Sequence, residues 1–154
     1  ELTRRLGRQI CRLPRSFTHR DFQSRNLVVR DGSLVIIDFQ DALMGPQVYD
    51  LVALLRDSYV RLSDSLLGNL LVYYAEKVSR PADEIRREFD IVTVQRKLKD
   101  AGRFVFIDRV KGNPNFLKYI PTSLEYARAA LERMPDEARL YRLLKKFVPE
   151  WGRT

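Results

Sequence analysis

His19-Arg20-Asp21-Phe22-Gln23-Ser24-Arg25-Asn26, followed by Ile37-Asp38-Phe39, is the stretch on which the reading of this chain turns. Between its two parts lie Leu27-Val28-Val29 and Leu34-Val35-Ile36-Ile37, two β-rich runs on either side of Asp31-Gly32, a strong hairpin signal. A hairpin returns the chain to where it began, so its open ends, Asn26 and Asp38, become neighbours. If Asp31-Gly32-Ser33 forms a three-residue loop, Asn26 faces Asp38 directly, with side chains about 5 Å apart at Cβ. A two-residue turn leaves the pair one step out of register and on opposite faces. The three-residue loop is the expected arrangement, although Gly32 is not at its usual left-handed position. Both faces of the hairpin 27–38 are apolar, which predicts a buried two-stranded element.

The residue types suit one chemistry. Phosphoryl transfer needs a carboxylate to accept or orient the proton of the attacking hydroxyl, and oxygen ligands to hold Mg²⁺ against nucleotide phosphates. His-x-Asp-x-x-x-x-Asn and a later Asp supply that set. Alone, an Asp or Asn at a hairpin end is ordinarily a turn residue or cap. Their order, their spacing and the hairpin between them favour the catalytic reading.

Phe17-Thr18-His19-Arg20-Asp21, Ile36-Ile37-Asp38-Phe39-Gln40-Asp41 and Tyr49-Asp50-Leu51, within residues 17–57, resemble the aminoglycoside phosphotransferase and choline kinase superfamily, relatives of protein kinases. Within it the chain is most similar to bacterial sugar kinases that phosphorylate the anomeric hydroxyl of N-acetylmuramate or N-acetylglucosamine. Gln95-Arg96-Lys97-Leu98-Lys99-Asp100-Ala101-Gly102-Arg103-Phe104 and Tyr119-Ile120-Pro121 extend the resemblance across most of the chain. The resemblance implies Asp21 as catalytic base or hydroxyl-orienting carboxylate, and Asn26 and Asp38 as Mg²⁺ ligands. It implies that His19 organises the loop and that Asp50 braces it by accepting backbone N–H bonds. Gln23 stands where choline kinases also carry glutamine and protein kinases a phosphate-reaching lysine, so it is a candidate for phosphate or substrate. Arg25, like Arg20, is a candidate for offsetting phosphate charge, against the reading of a solvated arginine. Asp41 is either a third acid near the metal or a solvated turn residue.

The implied fold is mainly α with a small β-hairpin, the C-terminal (large) lobe of a protein-kinase-like fold. Residues 1–154 read as that one lobe, with a catalytic loop at 17–26, the hairpin at 27–38 and a helical remainder at 46–148. The length is one domain's worth. Kinases of this superfamily close ATP between two lobes, and no Gly-x-Gly-x-x-Gly or Gly-x-x-x-x-Gly-Lys-Ser/Thr occurs in the sequence. The expectation is therefore that the N-terminal, nucleotide-covering lobe is missing and that the fragment alone is inactive. The implied cofactors are ATP and Mg²⁺, and the implied acceptor is a small hydroxylated molecule, an amino sugar of cell-wall recycling. Aminoglycoside, choline or homoserine acceptors stand as alternatives within the superfamily, and a noncatalytic binding module on a kinase-lobe scaffold stands outside it.

Leu2, Leu6, Ile10 and Leu13 read as the end of a helix, and Val48 to Tyr59 as a short buried helix with Asp50 in its first turn. Leu62, Leu66, Leu67, Leu70, Leu71, Tyr74 and Val78 recur at helical spacing until Ser79-Arg80-Pro81. Ile85, Phe89, Val92 and Leu98 mark a longer helix that Gly102 is expected to weaken or terminate. Thr122-Ser123-Leu124-Glu125 reads as a capping box. A last helix carries Leu140, Leu143, Leu144 and Phe147 until Val148-Pro149. Aromatic residues at these spacings read as core, whereas Phe116, Tyr119 and Trp151 are candidates for a sugar-stacking wall.

The net charge of +8 raises nucleic acid as a partner. Its distribution argues otherwise: residues 1–30 hold eight arginines against Glu1 and Asp21, whereas residues 31–60 hold five aspartates and one arginine. A basic stretch beside the loop suits an anionic nucleotide or sugar acid, or a surface facing the absent lobe. Aromatic and basic residues do not interleave as in single-strand binders, so nucleic acid is not expected. The single Cys11 excludes an intrachain disulfide, and a reducing compartment is the natural setting. With no signal peptide or long apolar span, the expectation is a cytoplasmic protein without a membrane partner.

Overall fold

A computed structural model describes residues 1–151. Its elements are α1 (Leu2–Cys11), β1 (Arg15–Thr18), β2 (Leu27–Arg30), β3 (Ser33–Ile36), β4 (Leu43–Pro46), α2 (Tyr49–Leu55), α3 (Asp64–Lys77), α4 (Ala82–Lys111), α5 (Ile120–Glu132) and α6 (Ala138–Lys145). The fold is mainly helical, with two small antiparallel sheets, as a kinase-like C-terminal lobe requires. The chain forms two compact units. One is Ile10–Val92, and the other joins Glu1–Gln9 to the chain from Thr93 onward.

The core of the Ile10–Val92 unit follows from helical spacing. Leu67, Leu71 and Ala75 recur every four residues on α3 and bury with Val48, Val52 and Leu55 and with Ile85, Phe89 and Val92 of α4. Burying each of the larger side chains contributes about 1.5–3 kcal/mol. Ser63 starts α3 by accepting the Leu66 N–H at 3.2 Å. At its end Ser79 turns left-handed (φ 51°), and the Arg80 N–H reaches the Ala75 carbonyl at 3.0 Å. The guanidinium of Arg80 then bonds Glu88 at 2.6 and 3.0 Å, Glu84 at 3.2 Å and the Gln47 side chain at 3.3 Å. These contacts tie the α3–α4 turn to Gln47, two residues before α2.

The hairpin differs from expectation in register and in burial. Leu27 pairs with Ile36 and Arg30 with Ser33, so the turn is the two-residue Asp31-Gly32 rather than a three-residue loop. Both turn residues have positive φ, 49° and 75°, the conformation whose twist matches that of antiparallel strands. Gly32 is thus left-handed, and Asp31 tolerates the same region. The strands stop at Ile36 rather than reaching 38. No residue of β2 or β3 is buried, and Val29 and Leu34 are 73% and 62% exposed. Apolar faces record a preference for cover, and no part of residues 10–92 supplies it.

A second sheet, not legible beforehand, pairs β1 with β4. Thr18 faces Leu43 across it, and the Thr18 hydroxyl donates to the Leu43 carbonyl at 2.7 Å. Gly45 is required by this close approach, because a Cβ there would lie 2.7 Å from Thr18 Oγ1.

In the other unit three further expectations are corrected. The helix through Gly102 is not interrupted and runs 30 residues to Lys111. Gly112, at φ 63°, ends it, its N–H reaching the Asp108 carbonyl at 2.9 Å. The Thr122–Glu125 segment is no capping box, because α5 already begins at Ile120, led in by the 3-10 turn Pro114–Tyr119 and favoured by Pro121. Trp151 is no stacking wall. It is buried, 5.8 Å from the Tyr141 ring. Phe116 and Tyr119 lie 5.9 and 6.1 Å from the Phe104 ring. Glu137, also buried, is held by Arg5 at 3.2 Å and Gln9 at 2.9 Å.

Candidate phosphotransfer site

The catalytic, metal, phosphate and loop-organising candidates all lie within the Ile10–Val92 unit, on the segment from β1 through the first turn of α2. Thr18, buried and anchored to Leu43, fixes the point where the chain leaves β1. Asp50, in the first turn of α2, accepts the backbone N–H of His19 at 2.6 Å and of Arg20 at 2.9 Å. Arg20 is left-handed at φ 71°, a conformation that costs a non-glycine residue roughly 1–3 kcal/mol, and the Asp50 bond is one of its restraints. The Arg20 guanidinium turns to the carbonyl of Asp41 at 3.2 Å.

The contacts of His19 are those of a strut. Its Nε2 lies 3.0 Å from the Ile37 carbonyl, and because a carbonyl only accepts, Nε2 carries the proton. The buried ring packs edge-on to Phe22 at 5.9 Å. It thereby ties the loop before Asp21 to the residue before Asp38.

Asn26 is the meeting point of the site. Its amide nitrogen donates to the Asp21 carbonyl at 2.8 Å, lies 3.3 Å from Asp21 Oδ2, and lies 3.4 Å from Asp38 Oδ2. These contacts occupy the nitrogen and leave the amide oxygen as the group suited to a cation. Ladder register does not bring Asn26 to Asp38. Asn26 pairs with Ile37, whose N–H reaches the Asn26 carbonyl at 3.1 Å, so an extended Asp38 would point to the opposite face. The left-handed backbone of Asp38 (φ 69°) turns its carboxylate back towards Asn26.

The donor set fits Mg²⁺. An amide oxygen and a carboxylate are hard oxygen ligands, and Mg²⁺ is commonly held by one or two carboxylates with water and phosphate completing its shell. Among the described residues no group of three or more His, Cys, Asp and Glu side chains is placed to hold a metal. Gln40, which the sequence reading passed over, donates to Asp38 Oδ1 at 2.7 Å and restrains the carboxylate.

The other predicted residues are not all gathered on this point. Gln23 contributes its backbone, donating to the Asp21 carbonyl and accepting from the Asn26 N–H, both at 2.9 Å. The Arg25 guanidinium lies 3.6 Å from the centre of the Tyr59 ring, a cation–π contact. Asp41 is exposed and meets Arg20 through its carbonyl. Asp57 was also passed over. Its carboxylate accepts from the Ser24 N–H at 3.0 Å, the Ser24 hydroxyl at 2.6 Å and the Tyr59 N–H at 2.9 Å. The only signal in the sequence was a second acid seven residues after Asp50, just past the end of α2.

With this geometry in view, residues 1–89 match the phosphotransferase enzyme family. The chain belongs to that family. As a member of the phosphotransferase enzyme family it is 39% identical over 142 residues to an N-acetylmuramate/N-acetylglucosamine kinase of Neisseria meningitidis, a match covering 88% of this chain and 42% of the relative. It is 34% identical over 146 residues to the enzyme of that name from Pseudomonas aeruginosa, covering 90% of this chain and 43% of the relative. The corresponding kinase of Pseudomonas putida is 30% identical over 141 residues, with 87% and 42% covered. The chain thus spans about two fifths of the length of these curated relatives. No helix among the described residues is long and apolar enough to cross a membrane.

Proposed function

We propose that this chain is the acceptor- and metal-holding part of an ATP-dependent kinase that phosphorylates a hydroxyl of an amino sugar. The observation that carries the reading is the Asn26 amide nitrogen lying within 3.4 Å of the carboxylates of both Asp21 and Asp38. Asp21 orients the acceptor hydroxyl and takes its proton as that oxygen bonds to the γ-phosphorus of ATP and the bond from phosphorus to the β–γ bridging oxygen breaks, releasing ADP. Asn26 and Asp38 hold Mg²⁺, which when bound neutralises phosphate charge. Asp50 and His19 keep the loop in place, so that the hydroxyl meets a preorganised carboxylate. The names of the relatives favour N-acetylmuramate and N-acetylglucosamine as acceptors.

The test is a coupled ADP-release assay on the protein expressed from its whole open reading frame. The panel comprises N-acetylmuramate, N-acetylglucosamine, an aminoglycoside, choline and homoserine. The reading requires turnover with an amino sugar and a fall of about 10²-fold or more in Asp21→Asn, the scale of general-base catalysis. Turnover of choline, homoserine or aminoglycoside alone would move the acceptor. No ATP turnover with any acceptor, together with binding of a protein or nucleic-acid partner, would favour a noncatalytic module.

A further inference from the structure

We infer that Asp57 is a positioning residue of this site, holding the second half of the catalytic loop as Asp50 holds the first. The inference rests on the proposed kinase reading for its chemistry, but the brace itself is read from contacts. Asp57 is 2% exposed at the C-terminal side of α2, where burial of a carboxylate demands several partners. One oxygen takes both the N–H and the hydroxyl of Ser24, at 3.0 and 2.6 Å, and the other takes the N–H of Tyr59 at 2.9 Å.

Each contact has a separate consequence. Ser24 opens the 3-10 turn Ser24–Asn26, which has no side-chain cap from Gln23, so the Asp57 carboxylate supplies the restraint at its start. Fixing Ser24 fixes the course of the turn and hence the Asn26 amide that lies between Asp21 and Asp38. Tyr59 is set by the same carboxylate, and its ring carries the Arg25 guanidinium at 3.6 Å. One buried acid therefore sets the metal-side amide and restrains the cation beside it. Outer partners of this kind typically change metal affinity or activity by about 10–100-fold when removed.

The experiment uses the protein from the whole open reading frame in five forms: wild type, Asp57→Asn, Ser24→Ala, the Asp57→Asn/Ser24→Ala double variant and Leu71→Ala. Leu71→Ala is a core control chosen to lower thermal stability without touching the loop. The Mg²⁺ concentration giving half-maximal turnover is expected to rise about tenfold in Asp57→Asn and less in Ser24→Ala, with Leu71→Ala unchanged. The double variant is expected to be no worse than Asp57→Asn alone, because the hydroxyl bond lost in Ser24→Ala is made to the Asp57 carboxylate. Amide hydrogen exchange at residues 24–26, relative to 27–30, is expected to accelerate in both loop variants and not in the control. That arm needs no turnover, so an inactive wild type would sink the kinase reading while exchange still decides the brace. Should Asp57→Asn not fold, Ser24→Ala decides alone. A folded Asp57→Asn or Ser24→Ala with the Mg²⁺ requirement and exchange pattern of Leu71→Ala would overturn the inference.

Discussion

The amide nitrogen of Asn26 lies 3.4 Å from a carboxylate oxygen of Asp38, and a positive φ of 69° at Asp38 is what brings them together. The consequence is that side-chain chemistry and backbone conformation can be separated by mutation at one position. Asp38→Asn keeps a residue that tolerates the left-handed region and is expected to change stability by about 0.5 kcal/mol or less. On the proposed metal role it should still lower turnover about 10²–10³-fold, the cost of losing a preorganised charge at the transferring phosphoryl group. Thermal unfolding and ADP release, measured on the same preparation, check the split. Loss of fold in step with loss of turnover would contradict it.

Asp50 holds two N–H groups and borders the left-handed Arg20. Asp50→Ala leaves those donors without their acceptor, and charge-assisted bonds of this type contribute about 1.5–3 kcal/mol each. We expect a loss of about 2–4 kcal/mol in urea unfolding, with exchange at His19 and Arg20 accelerating first. A loss below about 0.5 kcal/mol would show that the loop is held by other contacts.

Two glycines are expected to respond with opposite signs. Gly45→Ala places a Cβ 2.7 Å from Thr18 Oγ1, in the β1–β4 pairing that leads into His19. That clash should cost about 1–3 kcal/mol. Gly68 lies inside α3 with nothing within 4 Å of an added Cβ, so Gly68→Ala should stabilise by about 0.5–1 kcal/mol. Differential scanning calorimetry of the two variants would read the contrast directly.

Arg80 is expected to matter through the acid it covers. Glu88 is 11% exposed and takes two bonds from Arg80, whose guanidinium is held further in the charged form by them. Arg80→Met strands that carboxylate and should cost about 3–5 kcal/mol. Adding Glu88→Gln should recover part of the loss, and a double-variant cycle in urea measures the coupling.

Tyr74 gives the unit an alkaline limit. Burial raises its phenol above the ordinary value, Arg80 opposes this, and Glu88 and Asp50 add to it. A folded-state pKa above the unfolded value contributes stability that is complete below the unfolded pKa, about 10, and is lost as pH rises through the folded one. Stability should therefore fall above about pH 10, and less steeply in Tyr74→Phe. That variant also loses the hydroxyl bond to the Gln47 carbonyl at 3.2 Å, about 1 kcal/mol at neutral pH. Urea midpoints across the alkaline range provide the check, and equal slopes in the two proteins would refute it.

Much of this architecture is legible in the residues. The four-residue spacing of Leu67, Leu71 and Ala75, and of Ile85 and Phe89, declares buried helical faces, because one period fits one side of a helix. The proximity of Asn26 and Asp38 follows from the hairpin between them. The route to that proximity does not, since a single left-handed residue at Asp38 overrides strand alternation and leaves no mark in hydrophobic pattern. The β1–β4 pairing is equally silent, being four residues long and joining segments far apart in sequence. Asp57 was hidden for a related reason: its partners, Ser24 and Tyr59, include one more than thirty positions away. Gly102 shows the limit of local propensity, because continued packing along a 30-residue helix outweighs the roughly 1 kcal/mol that one glycine costs.

The exposed hairpin sets how this polypeptide behaves in a tube. Among the described residues β2 and β3 pair only with each other, so each offers an open edge of N–H and carbonyl groups flanked by Val28, Val29, Leu34 and Val35. Edges of that composition recruit strands from other molecules, and here the charged gatekeepers, Arg30 and Asp31, stand only at the turn. Concentration-dependent association through the hairpin, with light scattering that grows as the protein is concentrated, is the expected cost of leaving those two edges bare.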